Sequence, residues 1–316
     1  MSWDIRSFFI FCSLTAILIL GSVTIFSVTS IDISYFLRFL LISIFSILIV
    51  TGVFYTVNLN RILSFGWVVL VLNILLILSV ELFGKEINGS KRWLDFGFLS
   101  LQPSEFMKIS FALFAIQYLR YFNFKFNFQR SIFLLAILFI TSVPIIIQPD
   151  LGTGLIYIIF GIMLLFICGM DRKYFLALIG SGVVLSPVIY SFGFTDYQKG
   201  RIQSWFSSEG NISERWNILQ SEISIGSGEL FGEGFLKSKQ NQFNFLPEAD
   251  TDFIFSIYAE QFGFVGVLLI FILIAIFIIL SIIVLLQEQS LSEDLSTYYL
   301  GAYFIFVIGF NKTGTA

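Results

Sequence analysis

The stretch "FLPEADTDFIFSIYAEQFGFVGVLLIFILIAIFIIL", residues 245–280, sets Glu248, Asp250 and Asp252 on alternate positions just before a long apolar run. A further acid, Glu260, lies inside that run, which continues to about residue 286. Its length suits a helix rising ~1.5 Å per residue through ~30 Å of hydrocarbon. It lacks the period-two alternation of a membrane-barrel strand. The stretch therefore predicts a spanning helix with a charged mouth.

The rest of the chain repeats the greasy half of that pattern. Of 316 residues, 57% are hydrophobic and 12% charged, with a mean hydropathy of +0.91. Soluble domains carry ~25% charged residues. Apolar runs fall at about 7–30, 39–57, 62–80, 102–119, 131–147, 151–170, 174–195 and 253–286, with a shorter ninth at 298–310. The predicted fold is an all-α polytopic membrane protein, a bundle of about nine to ten transmembrane helices forming one domain over 1–316.

The links set the orientation. With the N-terminus in the cytoplasm, inside links hold Arg6, Arg61, Arg120, Lys125, Arg130, Arg172 and Lys173, while short outside links hold Lys85, Lys91 and Arg92. That asymmetry follows the positive-inside rule. The first run is too long for a signal-peptide core and reads as a retained helix. A net charge of −3 gives no reason to expect nucleic acid. The absence of histidine excludes a histidine base, and Cys12 and Cys168, each inside an apolar run, suggest neither a disulfide nor a thiolate site.

Two segments are expected outside. One is 84–105; the other, about 195–252 between helices 7 and 8, contains Trp205, Trp216, Phe243, Phe245 and the glycine series "IGSGELFGEG". Loops this long are usually functional or disordered, and this one is too aromatic for a disordered linker. It is expected to fold onto the outer face of the bundle, where the chemistry is also expected.

Within "QPSEFMK" (102–108), Pro103 suits a first helical turn, and Glu105 and Lys108 share one face at three-residue spacing. The pair is either a structural ion pair or the wall of a polar pocket. In "QPDLGTG" (148–154), Asp150 reads as a turn residue or as a site acid. Arg38 reads as a snorkelling side chain. One acid of "PEADTDF" could cap the following helix, but capping does not need three. Crowded carboxylates raise one another's pKa, which favours a general base or an ion-coupling role.

Together, "KRWLDFGFLSLQPSEFMK", "QPDLGTG", "YQKGRIQSWF", "LQSEISIGSGELFGEGF" and "QFNFLPEADTDFIFSIYAEQFGFVG" resemble the SEDS family (shape, elongation, division and sporulation). The segment "RIQSWFSSEGNISERWNILQS" looks more like the RodA elongation subgroup than the FtsW division subgroup. The resemblance implies a ten-helix peptidoglycan glycosyltransferase of the bacterial cytoplasmic membrane. Such an enzyme polymerises lipid II on the outer face, beside a class B penicillin-binding protein and other elongation-complex membrane proteins. It implies that Asp252 is the essential acid and that Arg92, Trp93, Gln102, Glu105, Lys108 and Asp150 bind substrate.

A divalent cation such as Mg or Mn is an open expectation. Asp250 stands where the family usually has histidine, and the family's tenth helix is not found before Ala316. This leads to the expectation of a C-terminally truncated chain or a damaged gene product. Rival readings are a transporter of the lipid-linked precursor and a non-catalytic scaffold for a penicillin-binding protein.

Overall fold

The computed structural model describes residues 5–29, 33–56, 59–87, 90–97, 100–148, 150–194, 199–200, 212–243, 245–246, 249 and 252–291. The ninth apolar run, Glu248, Asp250, Trp205 and the side chain of Arg38 lie outside the described residues. The structure is mostly helical, as expected. Among the described residues, four helices contain segments long and apolar enough to cross a membrane: Phe9–Val28, Gly66–Phe83, Phe128–Ile147 and Ile254–Ile283. The chain is a multi-span membrane protein.

The described residues sort into two units, 5–52 with 189–284, and 53–188 with 285–291. The first holds α1 (Ile5–Val28), most of α2 (Ile33–Thr56), α9 (Ile212–Ser227), the short α10 (Lys239–Gln242) and most of α11 (Ile254–Leu291). The second holds α3 (Leu59–Ser64), α4 (Gly66–Phe83), α5 (Pro103–Tyr121), α6 (Phe128–Ile147), α7 (Leu151–Ile167) and α8 (Arg172–Val188). A π-helical turn, Ile189–Gly193, follows Pro187 of α8.

The second unit has a continuous core. Along α4 the buried residues are Leu70, Asn73, Ile77 and Val80, the three- and four-residue steps of one helix face. They face α5, whose Met107, Phe111, Ala115 and Ile116 are fully buried. Leu134 and Leu138 of α6 and Tyr157, Phe160 and Leu164 of α7 complete the cluster. The opposite face of α4 exposes Leu72, Leu75 and Leu82, as lipid contact allows.

Several polar side chains enter this core and bond across it. Tyr157 and Thr141 share a hydrogen bond of 2.6 Å between α7 and α6. Gln148 donates to Ile77 O at 2.9 Å. The Asn73 amide spans the first turns of α5, its NH2 3.2 Å from Pro103 O and its oxygen 3.0 Å from Met107 N and 3.1 Å from Ser110 Oγ.

The segment between α4 and α5 departs from pure helix. It forms a small antiparallel sheet ordered β1 (Lys85–Ile87), β2 (Ser90–Asp95), β3 (Ser100–Leu101). Leu94 pairs with Leu101 and Asp95 with Ser100, which delivers β2 alongside the start of α5. Strands this short carry no apolar run by which hydropathy could mark them.

In the first unit, α11 is not one continuous helix. Gly263 sits at φ 65°, ψ −167°, and breaks it. Leu246, Ala249 and Ile257 form a small buried cluster, with Val28 and Phe253 packed against it.

Candidate functional site

In the second unit, the N-terminal ends of α5 and α7 come together with β2. Pro103 occupies the first turn of α5, where its missing N–H costs no helical bond. Gln102, just before it, donates its side-chain amide to Asp150 Oδ2 at 2.9 Å. Asp150 is the N-cap of α7, and its Oδ1 accepts from Thr153 N at 3.2 Å. Arg92 of β2 brings Nη1 to 3.8 Å from that same oxygen. Asp150 is thus buried, caps α7 and is engaged on both oxygens.

One turn into α5, Lys108 Nζ lies 2.7 Å from Glu105 Oε2. The pair is lopsided: the Lys108 side chain is 4% exposed and that of Glu105 is 45%. Lys108 Nζ also stands 5.9 Å from the centre of the Phe160 ring. Glu105 in the first turn adds negative charge where the helix dipole favours it. Trp93 is half-buried in β2. Nearby, Lys85 donates to Asp95 at 2.9 Å, which together with the Gly97 N–H holds the Asp95 carboxyl below its ordinary range.

In the first unit, Asp252 sits exposed in the turn that precedes α11. Two turns into the helix, Glu260 has the opposite character. It is 1% exposed, and its carboxylate accepts from Ser224 Oγ at 3.0 Å, Ser238 Oγ at 2.5 Å, Lys239 N at 2.8 Å and Gln240 N at 3.3 Å. An apolar groove of about 690 Å³ opens between α1 and α2, lined by Leu18, Val23, Phe26, Phe36 and Leu40, with Phe235 beside them.

A family of cell cycle proteins, FTSW_RODA_SPOVE, matches residues 2–315. The chain belongs to this family. It is a RodA-like SEDS protein, as its motifs led us to expect. The peptidoglycan glycosyltransferase MrdB of Escherichia coli K12 is 35% identical over 212 residues, covering 65% of this chain and 56% of MrdB. The MrdB of Helicobacter pylori J99 is 37% identical over 203 residues, covering 63% of this chain and 52% of that protein. The chain spans little more than half the length of these curated relatives.

Two solved structures share the fold of this RodA-like chain. A chain of a peptidoglycan synthase complex that coordinates polymerization and crosslinking aligns with a TM-score of 0.78 at 20% identity, covering 98% of this chain and 86% of that one. The Thermus thermophilus rod shape determining protein RodA aligns with a TM-score of 0.66 at 21% identity, covering 99% and 84%.

Of the residues singled out from sequence, Arg92, Gln102 and Asp150 meet, and Glu105 meets Lys108 beside them on α5. Asp252 belongs to the first unit. Sequence reasoning did not assign Asn73, Ser224 or Ser238, whose only signal is polarity within or next to apolar stretches. Among the described residues, no group of three or more Asp, Glu, Cys or His gathers to hold a metal ion.

Proposed function

We propose that this RodA-like protein is a peptidoglycan glycosyltransferase that polymerises lipid II during cell elongation. The observation that carries the reading is the contrast at the start of α11: Asp252 is exposed, whereas Glu260 is buried and saturated by four donors. The exposure of Asp252 supports reading it, rather than Glu260, as the acid that meets a substrate hydroxyl. The names of the related MrdB proteins point to the same reaction.

In this reading, the Asp252 carboxylate takes the proton from the 4-hydroxyl of the acceptor GlcNAc. The freed oxygen attacks C1 of the donor MurNAc, the C1–O bond to diphosphate breaks, and undecaprenyl diphosphate leaves. Attack from the opposite face turns the α-linked donor into a β-linked product. An aspartate starts near pKa ~3.9 and is ionised at neutral pH, so it accepts the proton only as the transfer proceeds in a water-poor complex. The leaving group needs charge neutralisation more than a proton, and Arg92 and Lys108 are the cations assigned to it.

Trp93, Gln102, Glu105 and Asp150 are assigned to shaping the substrate pocket. The groove between α1 and α2 offers apolar wall to a polyprenyl chain. The setting is the bacterial cytoplasmic membrane, N-terminus inside and site outside, with a class B penicillin-binding protein as partner.

The test is glycan-strand growth from lipid II by purified protein in detergent, where no sidedness exists. Wild type is expected to make strands, and Asp252→Asn is expected to make none while remaining folded. A precursor transporter makes no strands in this assay. A scaffold leaves Asp252→Asn as competent as wild type once the partner is added.

A further inference from the structure

We propose that Glu260 is a positioning residue: it fixes the segment 228–243 onto α11 and thereby sets where Asp252 stands. The proposal rests on the reading of Asp252 as the base, and it concerns a side chain two helical turns away that touches no substrate.

Two interlocked sets of bonds carry it. The first is a backbone splice at the break in α11. In an unbroken helix, Phe264 N and Val265 N would donate to Glu260 O and Gln261 O. Here Glu260 O and Gln261 O instead accept from Glu233 N at 2.9 Å and Gly234 N at 3.1 Å. Phe264 N and Val265 N donate to Glu229 O at 2.9 Å and Leu230 O at 3.1 Å. The segment 229–234 is inserted where the helix opens.

The splice requires glycine on both sides. Gly263 has a φ of 65°, and a Cβ there would lie 2.3 Å from Gly232 N. Gly232 has a φ of 81°, and its Cβ would lie 2.1 Å from Gln261 O.

The second set is the side chain of Glu260. Its four donors come from α9, through Ser224, and from the start of α10, through Ser238, Lys239 and Gln240. Ser238 also caps α10 by accepting from Asn241 N at 3.2 Å. Among the described residues no Lys or Arg lies in salt-bridge distance of Glu260; the Lys239 ammonium goes to Glu233 at 2.7 Å instead. A buried carboxylate whose described donors are hydroxyls and peptide N–H groups holds them in fixed directions, and an apolar side chain could fill the space more cheaply. The arrangement continues toward Asp252: Ser221 bonds Ser256 at 2.6 Å, and Phe253 packs against the Leu246, Ala249 and Ile257 cluster. Leu246 follows closely on the segment 228–243 and is held to it by the bond from Phe245 N to Gln240 O at 3.1 Å. A shift of 228–243 along α11 would therefore displace the residues that pack against Phe253, next to Asp252.

The experiment measures strand growth by the purified full chain against lipid II concentration for Glu260→Gln, Glu260→Ala and Ser238→Ala, with folding followed by size-exclusion profile and thermal unfolding. A glutamine can keep its oxygen toward Lys239 N and Gln240 N and turn its NH2 to the two serines, whose hydroxyls then accept. Glu260→Gln is expected to keep kcat within about 3-fold of wild type, with an unchanged acid limb in its pH profile. Folded Glu260→Ala is expected to lose roughly 10- to 100-fold in kcat at unchanged KM. If Glu260→Ala does not fold, Ser238→Ala is expected to fold with kcat reduced several-fold.

Folded Glu260→Ala with wild-type kcat overturns the proposal, as does folded Ser238→Ala with wild-type kcat where the alanine at 260 cannot be read. Folded Glu260→Gln as inactive as the alanine variant, or with a displaced acid limb, also overturns it, because charge rather than placement would then be in use. An active Asp252→Asn brings down the base assignment itself. An inactive Asp252→Asn beside a fully active Glu260→Ala brings down only the role of Glu260.

Discussion

Gln102 and Asp150, 48 residues apart, are joined by a hydrogen bond of 2.9 Å that ties the start of α5 to the start of α7. The same aspartate caps α7 and meets Arg92. One side chain therefore coordinates three elements around the residues assigned to substrate.

Separating its roles is feasible with two substitutions. Asp150→Asn retains an oxygen for Thr153 N, whereas Asp150→Ala removes the cap, worth about 0.5–2 kcal/mol. Thermal unfolding in detergent should place Asp150→Asn near wild type and Asp150→Ala clearly below it. Gln102→Ala, which removes one donor from a buried carboxylate, should cost about 1 kcal/mol.

Lys108 offers a sharper division between stability and activity. Replacing it with methionine removes a buried charge, and its partner Glu105 is 45% exposed and can be solvated. Lys108→Met should therefore unfold within about 1 kcal/mol of wild type, since apolar replacement of buried ions is often neutral. Strand growth should fall on the order of 100-fold if the ammonium neutralises developing diphosphate charge. Unfolding and lipid II polymerization measured on the same preparation check both halves.

The splice at Gly263 predicts position-specific glycine sensitivity. Gly232→Ala places a methyl 2.1 Å from Gln261 O at a φ of 81°, a strain of about 1–3 kcal/mol or more. Gly226→Ala, in α9 with nothing within 4 Å of the new Cβ, should be neutral or stabilising by up to about 1 kcal/mol. Comparing the two melting temperatures tests the close approach directly.

Asp95 gives a pH-dependent reporter outside the spanning helices. Its folded pKa is lowered, chiefly by the hydrogen bond from Lys85 and then by Gly97 N–H. A depressed carboxylate contributes stability above its unfolded pKa and loses that contribution as pH falls through the folded value. Lys85→Met should move the Asp95 titration, followed by NMR of labelled carboxyl carbon, up toward the ordinary ~3.9.

The features legible in the amino-acid order were local or compositional. Runs of apolar residues located the described spanning helices because a bilayer demands length and hydropathy from each span separately. Pro103 marked the start of α5, and the three-residue spacing of Glu105 and Lys108 was enough to pair them. Tertiary structure alone decided the bond between Gln102 and Asp150, the four donors around Glu260 and the insertion of 229–234 into α11. The groups in each of these are distant in sequence, and no local periodicity encodes their meeting. Nor could hydropathy tell Leu70, which is buried, from Leu72, which is exposed, because lipid is as apolar a surrounding as the protein core.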